Sequence, residues 1–434
     1  MCFFKPISIS LSPNTEKDDI LLALKLLFQP WRWKSAENSS LPLEEEFKRY
    51  FGVKHAISFN SGRSALMAIL NSLGLEKDSE VLLQAFTCNA VLNPIVWVGL
   101  KPIYVDCDEE TLNINIDDLK RKITDKSRVM IVQHTFGLPA KMDEILEICR
   151  QGEEDKSSSF PLAEARENNL ILIEDCAHSL GAAYKGRKVG TFGKVAFFSF
   201  GRDKIISSVY GGMAITNDDE LANKIRNFQE KLAFPSDFWI LQQLLHPVLV
   251  NFLILPLYGF FEIGRLALIF LQKIKILSKG VSEKEKRGEN PSLFPKKMPD
   301  VLAILALKQF QKLEKFIFHQ REIAKFYDEN LKDLSFILPQ NDAGRIYMRY
   351  PVLIEGGDTD KILREARKQR IFLDDGWRKT AIVPPDTNQT KMQYIQGSCP
   401  GAEKIAQNIL NLPTHINISQ KDAQKIVKFL KIFS

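Results

Sequence analysis

Residues 171–204 read ILIEDCAHSLGAAYKGRKVGTFGKVAFFSFGRDK, and this stretch decides the fold class. Two short apolar runs, 171–174 and 196–200, have strand character, and each ends in chemistry: Glu174, Asp175 and His178 after the first, Arg202, Asp203 and Lys204 after the second. A run of apolar or β-branched residues closed abruptly by charge is the signature of a strand buried on both faces, with polar groups at its carboxyl edge. Working outward, runs of the same kind stand at 56–59, 80–83, 101–105, 129–133 and 213–216. Between them, 64–73 (SALMAILNSL) and 141–150 (KMDEILEICR) space their apolar residues at i, i+3 and i+4, as helices lying on a sheet do. The expectation over 43–227 is therefore α/β, a mixed, mostly parallel sheet wrapped by helices.

Downstream, 300–331 (DVLAILALKQFQKLEKFIFHQREIAKFYDENL) keeps helical periodicity throughout with Pro299 just before it, and the spacing predicts one long helix. RYPVLIE, DTDKILREARKQR, IFLDDGW and ISQKDAQKIVKFLKIF then alternate strand and helix, which reads as a small C-terminal α/β domain. The expected partition is an N-terminal segment (1–42), a large domain (43–230), an apolar helical insertion with a charged linker (231–290), and a long helix with the small domain (291–434). No internal repeat is evident.

The insertion is the irregular part. Residues 238–261 (FWILQQLLHPVLVNFLILPLYGFF) contain no Asp, Glu, Lys or Arg, and LALIFLQKI follows at 266–274. That length reaches the roughly 20 apolar residues of a membrane span. Pro247, Pro256, Gly259, His246, Asn251 and two glutamines interrupt it, and a span would divide a continuous α/β protein. The expectation is a buried or dimer-facing helical hairpin, with an interfacial membrane patch over 238–271 as the alternative and a true span behind that. Residues 278–290 (SKGVSEKEKRGEN) read as a charged, solvated linker.

Composition narrows the function. Across 434 residues the net charge is only +6 and both signs are interspersed, so no basic stripe points to nucleic acid. The six cysteines, Cys2, Cys88, Cys107, Cys149, Cys176 and Cys399, form no CxxC pair, which argues against a zinc site or a disulfide framework. No metal is expected. The N-terminal stretch lacks the pattern of a signal peptide, so the expected location is cytoplasmic.

Three elements carry chemistry. Asn60-Ser61-Gly62-Arg63-Ser64-Ala65 follows a strand and opens a helix, where free N–H groups and a glycine form a phosphate cradle, or equally a simple helix cap. Asp175, at a strand's carboxyl end, can pair with a protonated ring nitrogen and make a cofactor a better electron sink; otherwise it caps the next helix and His178 is a core histidine. Lys204, just past a buried aromatic strand, can be desolvated and made nucleophilic toward an aldehyde, or can be a surface lysine.

As an ordered set, these elements resemble the DegT/DnrJ/StrS-type sugar aminotransferases, a branch of the fold-type I pyridoxal-phosphate enzymes. The resemblance runs through SGRSAL, EVLLQAFTCNAVLNPIVWVGLKPIYVDCDEETLNIN, VQHTFGLPAKMDEI, LILIEDCAHSLGAAYKGRKVGTFG, AFFSFGRDK, GGMAITND and NILNLPTH. It implies an aspartate-aminotransferase-like large domain with a small C-terminal α/β domain, pyridoxal 5'-phosphate as cofactor, and a homodimer. It further implies an amino-acid donor, glutamate in most of the family, and a nucleotide-linked keto-sugar as acceptor, in surface polysaccharide or glycoconjugate synthesis. By position, Lys204 matches the lysine that carries the cofactor and shuttles the proton, Asp175 the partner of the pyridine nitrogen, and His178 a residue near the ring's phenolic oxygen. Arg63 and Ser64 match the phosphate-binding pair and Ser199 a further phosphate contact. A histidine in place of Lys204 would mark the dehydratase branch.

Two departures stand out. Cys88 occupies the position where the family places an aromatic residue over the cofactor ring, and a thiol offers less stacking area. The family's Asn-Tyr-Arg, which reaches across the dimer before the long helix, is replaced by Phe294-Pro295-Lys296-Lys297-Met298; Lys297 can supply the charge but not the forked geometry. The alternatives are an aminotransferase with a non-sugar acceptor and a regulatory or structural relative that binds the cofactor without turnover.

Overall fold

The computed structural model describes residues 6–34, 40–150, 170–258 and 262–433. The first residues of the N-terminal stretch, including Cys2, and 259–261 of the apolar run lie outside the described residues. Seven strands form the central sheet: β1 His55–Phe59, β2 Glu80–Gln84, β3 Lys101–Val105, β4 Ser127–Gln133, β5 Ile171–Asp175, β6 Val195–Ser199 and β7 Gly212–Thr216. Their spatial order is β1-β7-β6-β5-β4-β2-β3. The pairs β2·β3, β2·β4, β4·β5 and β5·β6 are parallel, and only β7 runs against its neighbours β6 and β1. Every run expected as a strand is one, displaced by at most two residues at its start and one at its end.

Alternation along each strand feeds two cores. Leu82, Met130, Val132 and Leu172 point to one face, under helices Ile116–Lys122 and Met142–Arg150. Val81, Leu83, Val129, Ile131 and Ile173 point to the other, the larger core. With both faces covered, the strands have no polar side, which is why they read as unbroken apolar runs.

The helices that matter below are α1 Lys17–Leu27, α2 Leu41–Phe51, α3 Gly62–Ser72, α4 Asn89–Trp97, α5 Asp237–Leu249, α6 Ile263–Lys273, α7 Asp300–Phe310 and α8 Leu313–Leu331. In α3, Ala65, Leu66, Ala68 and Ile69 are fully buried, so this helix lies inside the large core rather than on it. The expected single helix 300–331 is two. Lys312 leaves helical geometry at φ −102°, ψ 3°, its N–H turns back to Gln309 O at 2.9 Å, and its ammonium lies 2.7 Å from Asp19 Oδ2 on α1. No glycine or proline marks the break; a long-range ion pair sits at it.

A second core gathers Ile7, Ile323, Tyr327, Tyr350, Val352, Ile371, Leu410 and Ile426. Around it Tyr350–Leu353 pairs antiparallel with Ile409–Leu412, and Ile7–Ser8 joins Ile371–Phe372 in parallel. The N-terminal segment is thereby stitched to the C-terminal part.

The apolar insertion is helical. α5 continues through a π-turn at Val250–Ile254 into Leu255–Tyr258, and α6 follows, its Gly264 packed so closely that a Cβ there would lie 2.2 Å from Ile254 O. The 22-residue helix Asp237–Tyr258 has mean hydropathy 1.7 in its most apolar window, half of it buried, mainly against α1. The hairpin is not buried within the chain on its outer face, where Phe252, Leu266, Ile269 and Phe270 are exposed, which leaves the dimer-facing and interfacial readings. The linker reading of 278–290 is also corrected. Tyr210 Oη donates to Lys279 O at 2.6 Å, Asn93 Nδ2 to Glu285 O at 3.1 Å and Trp97 Nε1 to Gly288 O at 2.9 Å, so the segment is pinned to the large domain.

Candidate active site

The parallel arrangement brings the carboxyl ends of β1, β4, β5 and β6 to one edge of the sheet, where open α/β sheets bind ligands. A cavity of about 310 Å³ opens there. Lys204, Asp175, His178, Ser199, Cys88 and Arg63 all line it, so six of the seven residues singled out from the sequence converge.

Asp175 sits on the floor, 3 % exposed, its Oδ1 accepting from Ala177 N at 2.9 Å. Burial pushes its carboxyl up to about 6, against the pull of that N–H and of Lys204. Lys204 follows β6 on a loop whose backbone is anchored by the N-terminal segment: Asn14 Nδ2 donates to Lys204 O at 3.1 Å and to Ile205 O at 2.9 Å. The ammonium of Lys204 lies 3.9 Å from Asp203 Oδ1. Burial works to raise Asp203, but Lys204 and Arg349 outweigh it and hold that carboxyl below its usual range.

His178 is buried and stacks on Phe136 with ring centroids 5.4 Å apart. Burial, then Lys204 and Arg349, push its pKa well down, so the ring is neutral, and its Nδ1 has no partner among the described residues. A buried polar atom without a partner in a residue that lines a cavity calls for a functional account.

At the other end of the cavity, Ser61 caps α3 by accepting from Ser64 N at 3.1 Å. Gly62 packs tightly, since a Cβ there would lie 3.1 Å from Ser199 Cβ and 3.2 Å from Phe198 O. Two of the expected phosphate contacts already have partners within the chain. Ser64 does not reach the cavity: its hydroxyl is spent on Asn60 Oδ1 at 2.6 Å. Arg63 reaches the cavity but is already engaged, paired with Glu285 and donating to Gly280 O at 2.8 Å. Cys88 lines the cavity as the cap of α4, its thiol pushed up by burial. Lys297 borders a different cavity, beside Arg226 and Asp300.

Several cavity residues are ones the sequence did not single out. Gln133 ends β4, Trp377 presents its ring with its centroid 4.7 Å from that of His178, and Asp375 comes from the C-terminal part, with buried Arg349 paired to it from outside the cavity lining. The polar and aromatic turn in IFLDDGW was the one available signal. Separately, His134, Glu174 and Cys176 cluster within 4.8 Å. Glu174 there accepts from Gly190, Phe192 and Gly193 N–H groups, so this is a hydrogen-bonded knot that fastens the 190–193 loop to β5.

A carboxylate at the floor, an open-ended lysine and a glycine-bordered helix N-terminus fit a phosphorylated aromatic aldehyde, and comparison with known proteins points the same way. A model of the DegT/DnrJ/EryC1/StrS aminotransferase family matches residues 15–154, 161–233 and 271–431, leaving nearly all of the apolar insertion outside it. GDP-perosamine synthase of Escherichia coli O157:H7 is 26 % identical over 92 % of this chain and 92 % of its own length. UDP-N-acetyl-3-dehydro-alpha-D-glucosamine 3-aminotransferase of Acidithiobacillus ferrooxidans is 25 % identical over 91 % and 88 %. Among solved structures, a Streptococcus pneumoniae protein described as a sugar aminotransferase, in its PLP form, superimposes with TM-score 0.71 at 21 % identity over 98 % of both chains. The chain belongs to the DegT/DnrJ/EryC1/StrS aminotransferase family and has its aspartate-aminotransferase-like, fold-type I architecture.

Proposed function

We propose that this protein is a pyridoxal-phosphate-dependent transaminase that moves an amino group from an amino acid, glutamate as the expected donor, to a nucleotide-linked keto-sugar. The convergence of Lys204, Asp175 and the Gly62 cradle in one cavity carries this reading. The relatives' named activities on GDP- and UDP-linked sugars support the acceptor class.

The cofactor supplies the electron sink for exchanging an amino group between two carbon skeletons. Lys204 would hold it through Nζ and, once the donor's amine has taken its place, the freed Nζ would carry the proton from the donor's α-carbon to the cofactor. Asp175 would hold the proton on the cofactor's ring nitrogen, where a positive partner would reverse the burial effect and keep the carboxyl ionised. His178, neutral and lining the cavity, would stand near the ring's oxygen. Gly62 and Ser199 border the phosphate end.

We further propose a cytoplasmic homodimer that touches a lipid surface through the outer face of the insertion. Leu266, Ile269 and Phe270 are exposed on α6 and lead into exposed Lys273 and Lys275, while Leu21 is exposed on α1 between Lys17 and Lys25. Apolar groups flanked by lysines suit an anionic bilayer interface.

The test is covalent labelling. Purified protein is incubated with pyridoxal phosphate, reduced with borohydride, digested and mapped by mass spectrometry. The cofactor is expected on Lys204, absent in Lys204→Ala, and lost from wild type when glutamate precedes reduction, with 2-oxoglutarate released. Label on another lysine would remove Lys204 from its role, and label that glutamate leaves in place would favour a binding relative without turnover.

A further inference from the structure

Arg202 has no ion-pair partner within 4 Å among the described residues. It lines the cavity beside Lys204's loop, with Nη2 donating to Ser278 Oγ at 2.5 Å and Cζ 5.6 Å from the Tyr210 ring. Its Nε is enclosed and has no hydrogen-bond partner among the described residues. The carboxylates nearby are taken. Asp203 pairs with Arg349 at 2.6 Å and faces Lys204, and Glu285 pairs with Arg63. Burial, together with repulsion from Arg63, pushes the Arg202 guanidinium down in pKa despite Tyr210 and Asp203.

Arg63 is the instructive contrast. Its Cζ lies 5.9 Å from the same Tyr210 ring and 4.8 Å from that of Phe294, but Glu285, itself 1 % exposed, neutralises it. Two guanidinium groups and one carboxylate therefore stand around Tyr210, next to the N-terminus of the 11-residue helix α3. Arg202 is half-buried, and a guanidinium with no carboxylate partner favours a forked anion. Both guanidinium groups line the cavity together with Gly62 and Ser199.

We infer that Arg202, rather than Arg63, is the side-chain cation that anchors a phosphate group at this end of the cavity. The inference rests on the transaminase reading, because that reading brings phosphate to the site from two sources: the cofactor's phosphate monoester and the acceptor's diphosphate. The chemistry that Arg202 recognises is common to both.

The full-length Arg202→Gln, Arg202→Lys and Arg63→Gln proteins distinguish the sources by binding rather than turnover. Tryptophan fluorescence, with Trp377 in the cavity wall, is titrated with pyridoxal phosphate, phosphate-free pyridoxal, GDP and UDP. Arg202→Gln is expected to weaken a phosphorylated ligand by about 10- to 100-fold while leaving pyridoxal unchanged, with Arg202→Lys in between. Loss confined to pyridoxal phosphate assigns the cofactor's phosphate, and loss confined to GDP or UDP assigns the acceptor's diphosphate. Because a half-buried charge with no ion-pair partner is removed, ligand-free Arg202→Gln is expected to unfold at a temperature no lower than wild type. Unchanged affinity for all three phosphorylated ligands, or a larger loss in Arg63→Gln than in Arg202→Gln, overturns the assignment. A lower unfolding temperature for ligand-free Arg202→Gln with unchanged affinities makes Arg202 structural. If wild type binds GDP or UDP through Arg202 but takes no cofactor on Lys204, the transaminase reading fails while the phosphate anchor stands.

Discussion

Arg349 Nη2 lies 2.6 Å from Asp203 Oδ2, so the residue preceding Lys204 is clamped by an arginine of the C-terminal part that is only 1 % exposed. The same guanidinium lies 3.1 Å from Asp375 Oδ2, too poorly aligned for a hydrogen bond but close enough to balance a buried carboxylate. Burial pushes Asp375 up and Arg349 pulls it back. Asp375 is further held by Asn411 Nδ2 at 2.9 Å and Trp377 N at 3.0 Å. One cation thus fixes both the lysine loop and the turn that carries Trp377.

Arg349→Met is expected to destabilise the ligand-free protein by about 3–5 kcal/mol, because it strands buried Asp375 without a counter-charge. Adding Asp375→Asn to that variant is expected to restore part of the loss. Urea unfolding of the single and double variants measures this, and equal stability of Arg349→Met and wild type would remove the clamp from the account.

Asp175 gives a pH signature. Its carboxyl stands at about 6 in the native cofactor-free protein against an ordinary 3.8, so the folded state binds the proton more tightly than the unfolded chain. The stability this provides is fully present below pH 3.8 and is lost as pH rises through about 6. Relative to Asp175→Asn, whose amide keeps the Ala177 contact, wild type is therefore expected to lose up to about 3 kcal/mol between pH 4 and pH 7. Parallel stability curves for the two proteins across that window would show that Asp175 ionises normally.

The lipid-facing reading predicts that wild type floats with vesicles containing phosphatidylglycerol, less so with pure phosphatidylcholine, and less again at high salt. Leu266→Glu with Phe270→Glu is expected to abolish flotation while the far-ultraviolet circular dichroism stays that of wild type, since both side chains are exposed. If the double variant instead halves the molecular mass in solution and wild type ignores vesicles, the face belongs to a second copy of the chain.

The elements most legible in the sequence are those whose environment is set by neighbours along the chain. β5 and β6 are apolar without interruption because helices cover both faces of the sheet, and the register that places Phe197 opposite Asp175 follows from parallel pairing. Lys204, Asp175, Ser199 and His178 were legible because each ends or directly follows one of those strands, and a parallel sheet gathers such ends at one edge. Ser64 was misplaced by the same reasoning, since it lies one helical turn too far round and its hydroxyl falls to Asn60.

What the chain alone could not disclose depends on partners far away in sequence. The 278–290 segment has the composition of a solvated linker, yet Glu285 is buried because Arg63, 222 residues earlier, is there to receive it. Lys312 ends α7 in a stretch with perfect helical propensity because its ammonium is drawn to Asp19. Asp375 and Trp377 join the cavity, and Arg349 reaches Asp203, only when the C-terminal part folds back onto the sheet edge. Amino-acid order determined the alternation of strand and helix and the identity of the lysine and carboxylate, because hydrophobic periodicity and strand termination are local. Tertiary structure alone decided which charges are balanced, because a buried ion pair joins groups that chain distance does not bring together.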